Sequence, residues 1–344
     1  MTTVLTIAVA ILIFALMIFV HEFGHFIVAK AMGIRVLEFA IGMGPKLLSW
    51  GKGETRYSIR IIPIGGFCAM EGEDKDSDDP KAINNKPAWK RLLVLAAGAF
   101  MNILLGFVLL FFMMTQGSYM ATNVVDKVEP GSAAYESGLM SGDEIIKVAG
   151  KRTNIAAQVT WEAGRSGTKE TEFLVKRGTE KISVMVTPRE TDGAYRFGFT
   201  LAQTENNFAQ SIKAAYHGTF FYGKLIISSL VDIFRGKVEL TQLSGPIGIV
   251  SEIGSAVQET AKTGMVGFLN LLNLAVLLTI NLGIFNLLPI PALDGGRIFF
   301  VLVEMVSRKK IPPEKEGMIH FAGFAILILI SIMIAVMDVL KFGA

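Results

Sequence analysis

The chain has 344 residues, of which 51% are hydrophobic and 18% charged. Its mean hydropathy is +0.50, and an ordinary soluble domain carries about 25% charged residues, so a soluble globular enzyme is excluded. One cysteine, Cys68, rules out an internal disulfide and a cysteine-built zinc site, and the net charge of +3 does not mark a nucleic-acid binder, because Lys and Arg cluster between apolar runs.

Four charge-free apolar runs each supply the roughly 20 residues that a helix needs to cross a bilayer. They predict a polytopic α-helical membrane protein with four transmembrane helices. The first run, Val4 to Val20, has no basic residue before it and no small-residue cleavage site after it. It reads as a retained helix that continues through His21 to Ala29. His21, Glu22, Phe23, Gly24 and His25 form an HExxH motif at its end. Histidines at i and i+4 share one helical face, where both can bind one zinc ion, and Glu22 lies beside them as a base for the attacking water. Three ionisable residues in five positions of an apolar helix cost roughly 2.5 to 3.5 kcal/mol each on insertion scales. A polar helix end that merely snorkels to the interface is therefore the weaker reading.

The stretch that follows is basic, from Lys30 to Arg91, and the positive-inside rule puts it in the cytoplasm. Within it, Tyr57 to Phe67 is rich in β-branched and aromatic residues and is broken by Pro63, Gly65 and Gly66, which predicts short strands and a turn. Residues 72 to 86 are acidic and proline-punctuated, as in a solvated loop, and no chemistry is assigned to them. The second run spans Leu92 to Thr115. Counting crossings places residues 116 to 264 outside the cytoplasm. Residues 122 to 190 alternate between apolar and polar and carry glycine turns, as in a small β-rich domain. Phe208 to Phe234 mixes aromatics with Lys213, Lys224 and Asp232, which predicts an amphipathic interfacial helix. Leu243 to Gly254 reads as a glycine-punctuated joining segment.

The third run is Met265 to Leu288 and the fourth Ile319 to Met337, separated by a short basic loop carrying Arg297, Arg308, Lys309, Lys310 and Lys315. That loop falls on the cytoplasmic side, in agreement with the first basic stretch. Zinc takes three protein ligands in a catalytic site. Asp294, in NLLPIPALDGG, is the only charge between Lys262 and Arg297 and lies on the same side of the membrane as the two histidines. It is the best third ligand. Pro289 and Pro291 break the helix before it, and non-helical backbone at membrane depth is tolerated only in a protein interior or a wet cavity. His217 and His320 read as interfacial residues rather than ligands.

Two resemblances add to this reading. VEPGSAAYESGLMSGDEIIKVAGK, within residues 122 to 190, resembles the core of a PDZ domain as found in bacterial membrane and periplasmic proteases. HEFGH, the GAFMN segment Gly98 to Asn102 and NLLPIPALDG resemble, in order, the three signatures of the site-2 proteases, intramembrane zinc metalloproteases, in the bacterial form with one PDZ domain. The second signature departs at Ala99, where family forms often carry proline. The resemblance implies Zn2+ held by His21, His25 and Asp294, Glu22 as general base, and Asn102, Asn286, Pro289 and Pro291 at the substrate strand. It implies a multi-pass protein of the bacterial cell membrane that cuts single-span membrane proteins, such as anti-sigma factors and remnant signal peptides, after another protease has trimmed them. The family also implies that the β-region beneath the bundle receives the unwound substrate as an added strand. The expected organisation is a first membrane half (1–115) with a cytoplasmic-side β-region, an extracytoplasmic PDZ domain (116–200), an interfacial segment (201–264) and a second membrane half (265–344). A membrane scaffold with a metal-storing histidine pair has no use for Glu22. A membrane-anchored protease of soluble proteins would carry HExxH outside the apolar run.

Overall fold

The computed structural model describes residues 2–73, 75–191, 193–237 and 244–342; Asp74 and Leu243 lie outside them. The chain divides into two compact units, Leu110–Phe221 and the remainder on either side of it.

Among the described residues four helices are long and apolar enough to cross a membrane: α1 (Thr2–Ala31), α2 (Ala88–Thr115), α7 (Met265–Leu287) and α9 (Pro313–Phe342), all in the larger unit except the end of α2 from Leu110 on. Lipid gives helices no hydrophobic reason to associate, so close approach depends on small residues. A Cβ on Gly24 would lie 2.6 Å from the Ala97 carbonyl oxygen, one on Gly106 2.4 Å from Ile280 Cγ1, and one on Gly283 2.9 Å from the Ala99 carbonyl oxygen. These glycines bring α1, α2 and α7 into contact around the histidines. Ala99 is fully buried there, in continuous helix.

Between α1 and α2 the chain forms β1 (Val36–Trp50) and β2 (Arg56–Met70). The strand runs unbroken through Pro63, Gly65 and Gly66, longer than the short strands expected. Both strands fold back on themselves. Glu38 to Ile41 pairs on one side with Ala69 to Gly66 and on the other with Arg56 to Ile59, while Leu48 to Trp50 covers the far side of Ile59 to Tyr57. Among the described residues, Gly66 to Met70 pairs on one side only. Glu38 pins this arrangement through Ser58 Oγ at 2.6 Å, Arg60 Nη2 at 2.9 Å and Lys46 Nζ at 3.1 Å.

Two further helices differ from the expected connections. The joining segment is helical from Pro246, in α6 (Pro246–Thr263), because Asp338 of α9 caps it from across the unit, accepting from Gly245 N at 3.2 Å and Gly248 N at 2.9 Å. That pairing also explains a buried aspartate in an apolar helix. The expected basic loop is largely α8 (Asp294–Ser307), amphipathic and fixed to α2 by Arg91–Glu304 at 2.8 Å. Its basic residues beyond Arg297 follow the helix.

The smaller unit holds a sheet in the order β10 (Phe199–Glu205), β3 (Tyr119–Val128), β4 (Glu144–Val148), β6 (Thr171–Arg177), β7 (Glu180–Val186), with β5 (Lys151–Arg152) beside β4. A further pair, β8 (Arg189–Thr191) and β9 (Ala194–Arg196), stands apart, and α3 (Ala133–Glu136) and α4 (Ala156–Arg165) complete the fold. Its core is built from Val125, Ile145, Val148, Phe173, Val175 and Val186, all buried. Asp143, fully buried, accepts from Arg177 Nε at 2.7 Å and Met140 N at 2.9 Å. Helix α5 (Phe208–Phe234) leaves this unit.

Candidate active site

The site begins with two imidazoles one helical turn apart. His21 and His25 of α1 are both buried. His25 Nδ1 lies 2.8 Å from the Val94 carbonyl oxygen of α2. A carbonyl only accepts, so Nδ1 carries the hydrogen and Nε2 keeps its lone pair. That lone pair faces His21 Nε2 at 3.2 Å and Asp294 Oδ2 at 3.2 Å, and His21 Nε2 lies 3.1 Å from the same oxygen. Asp294 Oδ2 is buried yet receives no hydrogen bond of acceptable geometry. Three lone pairs that converge on one point repel one another, and a cation at that point relieves the repulsion, so the donor set suits a metal ion. Two imidazole nitrogens and one carboxylate oxygen are a donor set of zinc with one position open.

The surroundings are shaped to this cluster. Asp294 opens α8, where the helix dipole favours a negative group. A Cβ on Gly98 would lie 2.3 Å from His25 Nε2 and 2.7 Å from His21 Cε1, so only glycine lets α2 pass behind the histidines. Asn102, fully buried, meets His21 Nδ1 at 3.3 Å. For His21 to offer its Nε2 lone pair, Nδ1 must carry the hydrogen, and the amide must turn its oxygen toward it.

The triad and Glu22 open into a cavity of about 570 Å³, walled by Phe67 to Met70 of β2 and by Glu73, Leu95 and Arg297. Gly66 brings the strand close: a Cβ there would stand 3.5 Å from Glu22 Cγ. Arg297 pairs with Glu73 at 2.7 Å on the cavity wall. Cys68 also lines the cavity, but burial, then the Glu22 and Glu73 charges, pushes its thiol far up, which leaves it protonated and unfit as a nucleophile.

The other residues singled out in the sequence lie apart from the cavity wall. Asn286 is half-buried on α7, and Pro289 and Pro291 shape the turn before α8. His217 belongs to the smaller unit. His320 Nδ1 accepts from the Ala292 amide at 2.9 Å. Sequence reading missed Gly98 as the residue that admits the histidines, and Glu73 and Arg297 as cavity residues. A small residue among the large ones of an apolar run is the signal that could have found the first. Glu73 was dissolved in an acidic stretch.

A pocket that joins an HExxH helix end, a carboxylate converging on its two imidazoles and a strand that is paired on one side among the described residues, within a unit of apolar helices, fits a membrane-embedded metalloendopeptidase. Residues 9–330 match peptidase family M50; the chain belongs to that family, the site-2 proteases, and is a zinc metalloprotease. A Clostridium perfringens protein assigned as a zinc metalloprotease is 38% identical, covering 96% of this chain and 97% of its own length. The zinc metalloprotease RasP of Bacillus licheniformis is 31% identical, with 97% and 98% covered. The regulator of sigma-W protease RasP of Bacillus subtilis is 30% identical, again with 97% and 98% covered.

Proposed function

We propose that this protein hydrolyses peptide bonds within the transmembrane segments of single-span membrane proteins, anti-sigma factors and remnant signal peptides being the substrate classes, in regulated intramembrane proteolysis. The observation that carries the reading is the shared cavity, which sets Glu22 and the histidine–aspartate cluster against a strand that is paired on one side only among the described residues. His21, His25 and Asp294 hold the zinc. The metal supplies Lewis acidity, acidifying water and polarising a carbonyl. Glu22 takes the proton of the attacking water and passes it to the leaving amine. Asn102 acts behind His21, fixing its ring, and Asn286, Pro289 and Pro291, which lie outside the cavity wall, border the path of the substrate strand beyond the cavity.

A helical substrate hides its amides in its own ladder and must unwind before attack. Gly66 to Met70 offers the unwound chain backbone donors and acceptors, as in strand addition elsewhere. The register supports this stretch rather than Tyr57 to Ile59, which has partners on both sides. The basic stretches flanking the cavity support a cytoplasmic-side active site in the cell membrane, with the smaller unit outside.

The smaller unit reads as the PDZ domain. Val159 and Ala163 of α4 and Phe199 and Leu201 of β10 line a groove of about 840 Å³, and β10 ends the sheet order, so an edge strand and a helix flank an apolar trough. It acts as a size filter that rejects substrates not yet trimmed. The groove favours a second reading, docking of a newly exposed C-terminus. Comparative membrane proteomics of cells carrying the wild-type protein or Glu22→Gln tests the main reading: single-span proteins should accumulate uncut in the variant. An unchanged population would refute it.

A further inference from the structure

Helix α9 is sparsely packed, with 6% of its most apolar window buried, yet one end of it makes specific contact with the turn that carries Asp294. Pro289 and Pro291 have no amide hydrogen. The amides of Leu288, Ile290 and Leu293 donate to the carbonyls of Phe285, Leu288 and Ile290, all local. The Ala292 amide leaves the turn and donates to His320 Nδ1 of α9 at 2.9 Å. Ala292 has φ +78°, a left-handed conformation that side chains with a Cβ rarely adopt. An outside partner is what such a residue needs. Gly323, three residues along α9, stands so that a Cβ would lie 2.4 Å from Pro291 Cβ. A Cβ on Gly296 would lie 3.2 Å from His320 Cε1. Because Nδ1 accepts, the ring hydrogen sits on Nε2, which faces Glu316 Oε1 at 3.8 Å one turn back.

We infer that His320 is a positioning residue for the zinc site: by accepting the Ala292 amide it holds the left-handed turn that brings Asp294 to the two histidines, so the seating of α9 sets the third ligand. This rests on the reading of Asp294 as a ligand. Groups that orient a metal ligand from behind typically change metal affinity about 10- to 100-fold when lost, and His320 acts one step further back, through the backbone.

The test is zinc affinity of the full chain in detergent, measured by competition with a chelating dye. His320→Leu removes the acceptor, and His320→Asn returns an oxygen near the Nδ1 position. Zinc should bind about tenfold more weakly in His320→Leu and regain most of that loss in His320→Asn. Wild-type affinity in His320→Leu, or equal loss in both variants, overturns the inference. Should His320→Leu fail to fold, Gly323→Ala displaces Pro291 without touching the histidine; it should also weaken zinc binding, and wild-type affinity there overturns the inference. Asp294→Asn is measured alongside. Zinc retained in that variant defeats the ligand reading itself, whereas zinc lost there but kept in His320→Leu defeats the role of His320 alone.

Discussion

A backbone carbonyl and a side-chain amide, both on α2, decide what the histidines can do. The Val94 carbonyl fixes the tautomer of His25, and Asn102 does the same for His21 once its amide oxygen faces the ring. Glu22 differs from both, since it lines the cavity and makes none of the cluster's close contacts. Glu22→Gln should therefore keep zinc at wild-type occupancy while cleavage falls by about 10²- to 10⁴-fold, the usual worth of a general base. Metal analysis beside a cleavage assay checks it, and residual activity near wild type would remove Glu22 from the mechanism. Gly98→Ala should show the opposite pattern. A methyl group 2.3 Å from His25 Nε2 must push the histidines or α2 aside, and overpacking of this kind costs about 1 to 3 kcal/mol. Zinc content should drop along with activity, and full zinc content in a folded Gly98→Ala protein would show that the helices yield instead.

At the scale of elements, the β1–β2 hairpin is the part whose position matters most, because it carries the unpaired edge to Glu22. Burial alone would raise the Glu38 carboxyl, but hydrogen bonds from Ser58, Lys46 and Arg60 outweigh it and hold the group at about 2. A carboxyl depressed from its ordinary 4.5 to about 2 contributes stability that is full above pH 4.5 and fades as pH falls toward 2. Hydrogen-exchange protection across residues 38 to 41, taken relative to the intrinsic rate at each pH, should accordingly fall over that window in the wild-type chain, and in Glu38→Gln it should already be reduced at neutral pH with little further change. A pH response identical in the two would exclude Glu38 as the pin. The hairpin also shows what a sequence can disclose. HEFGH was legible because i, i+4 spacing needs no tertiary information, and Asp294 because it is an isolated charge in an apolar region. The four spans followed from length and composition. The back-folded strand pairing was not legible, since a run of β-branched residues does not say which edge stays open. Nor was α6, whose cap lies 90 residues away in Asp338, or α8, whose amphipathic pattern was masked by the basic residues that follow it.

For the whole molecule, the proposed crossings place Ser77 in the cytoplasm and Ser166 outside, and single cysteines introduced there should label accordingly in intact cells, with Cys68 replaced by serine. External labelling of both would overturn the topology. The smaller unit then poses a separate question, because its first and last strands are neighbours. Tyr119 pairs with Glu205 and the Asn206 amide reaches the Ser118 carbonyl at 2.9 Å, so the chain enters and leaves at one point. Residues 119–205 can thus be exchanged for a short Gly-Ser linker without stretching what remains. The proposed zinc ligands, Glu22 and the β1–β2 hairpin all belong to the other unit, which should keep its metal. Discrimination by access, rather than by bond breaking, predicts that the shortened protein still cuts a trimmed single-span substrate and now also cuts the untrimmed form. Discrimination by docking predicts that cleavage of the trimmed substrate falls instead, and that Val159→Glu in the groove of the full chain reproduces the fall. A shortened protein that binds zinc, loses the trimmed substrate and gains nothing on the untrimmed one would therefore exclude the filter and leave the groove as the place where substrates are selected.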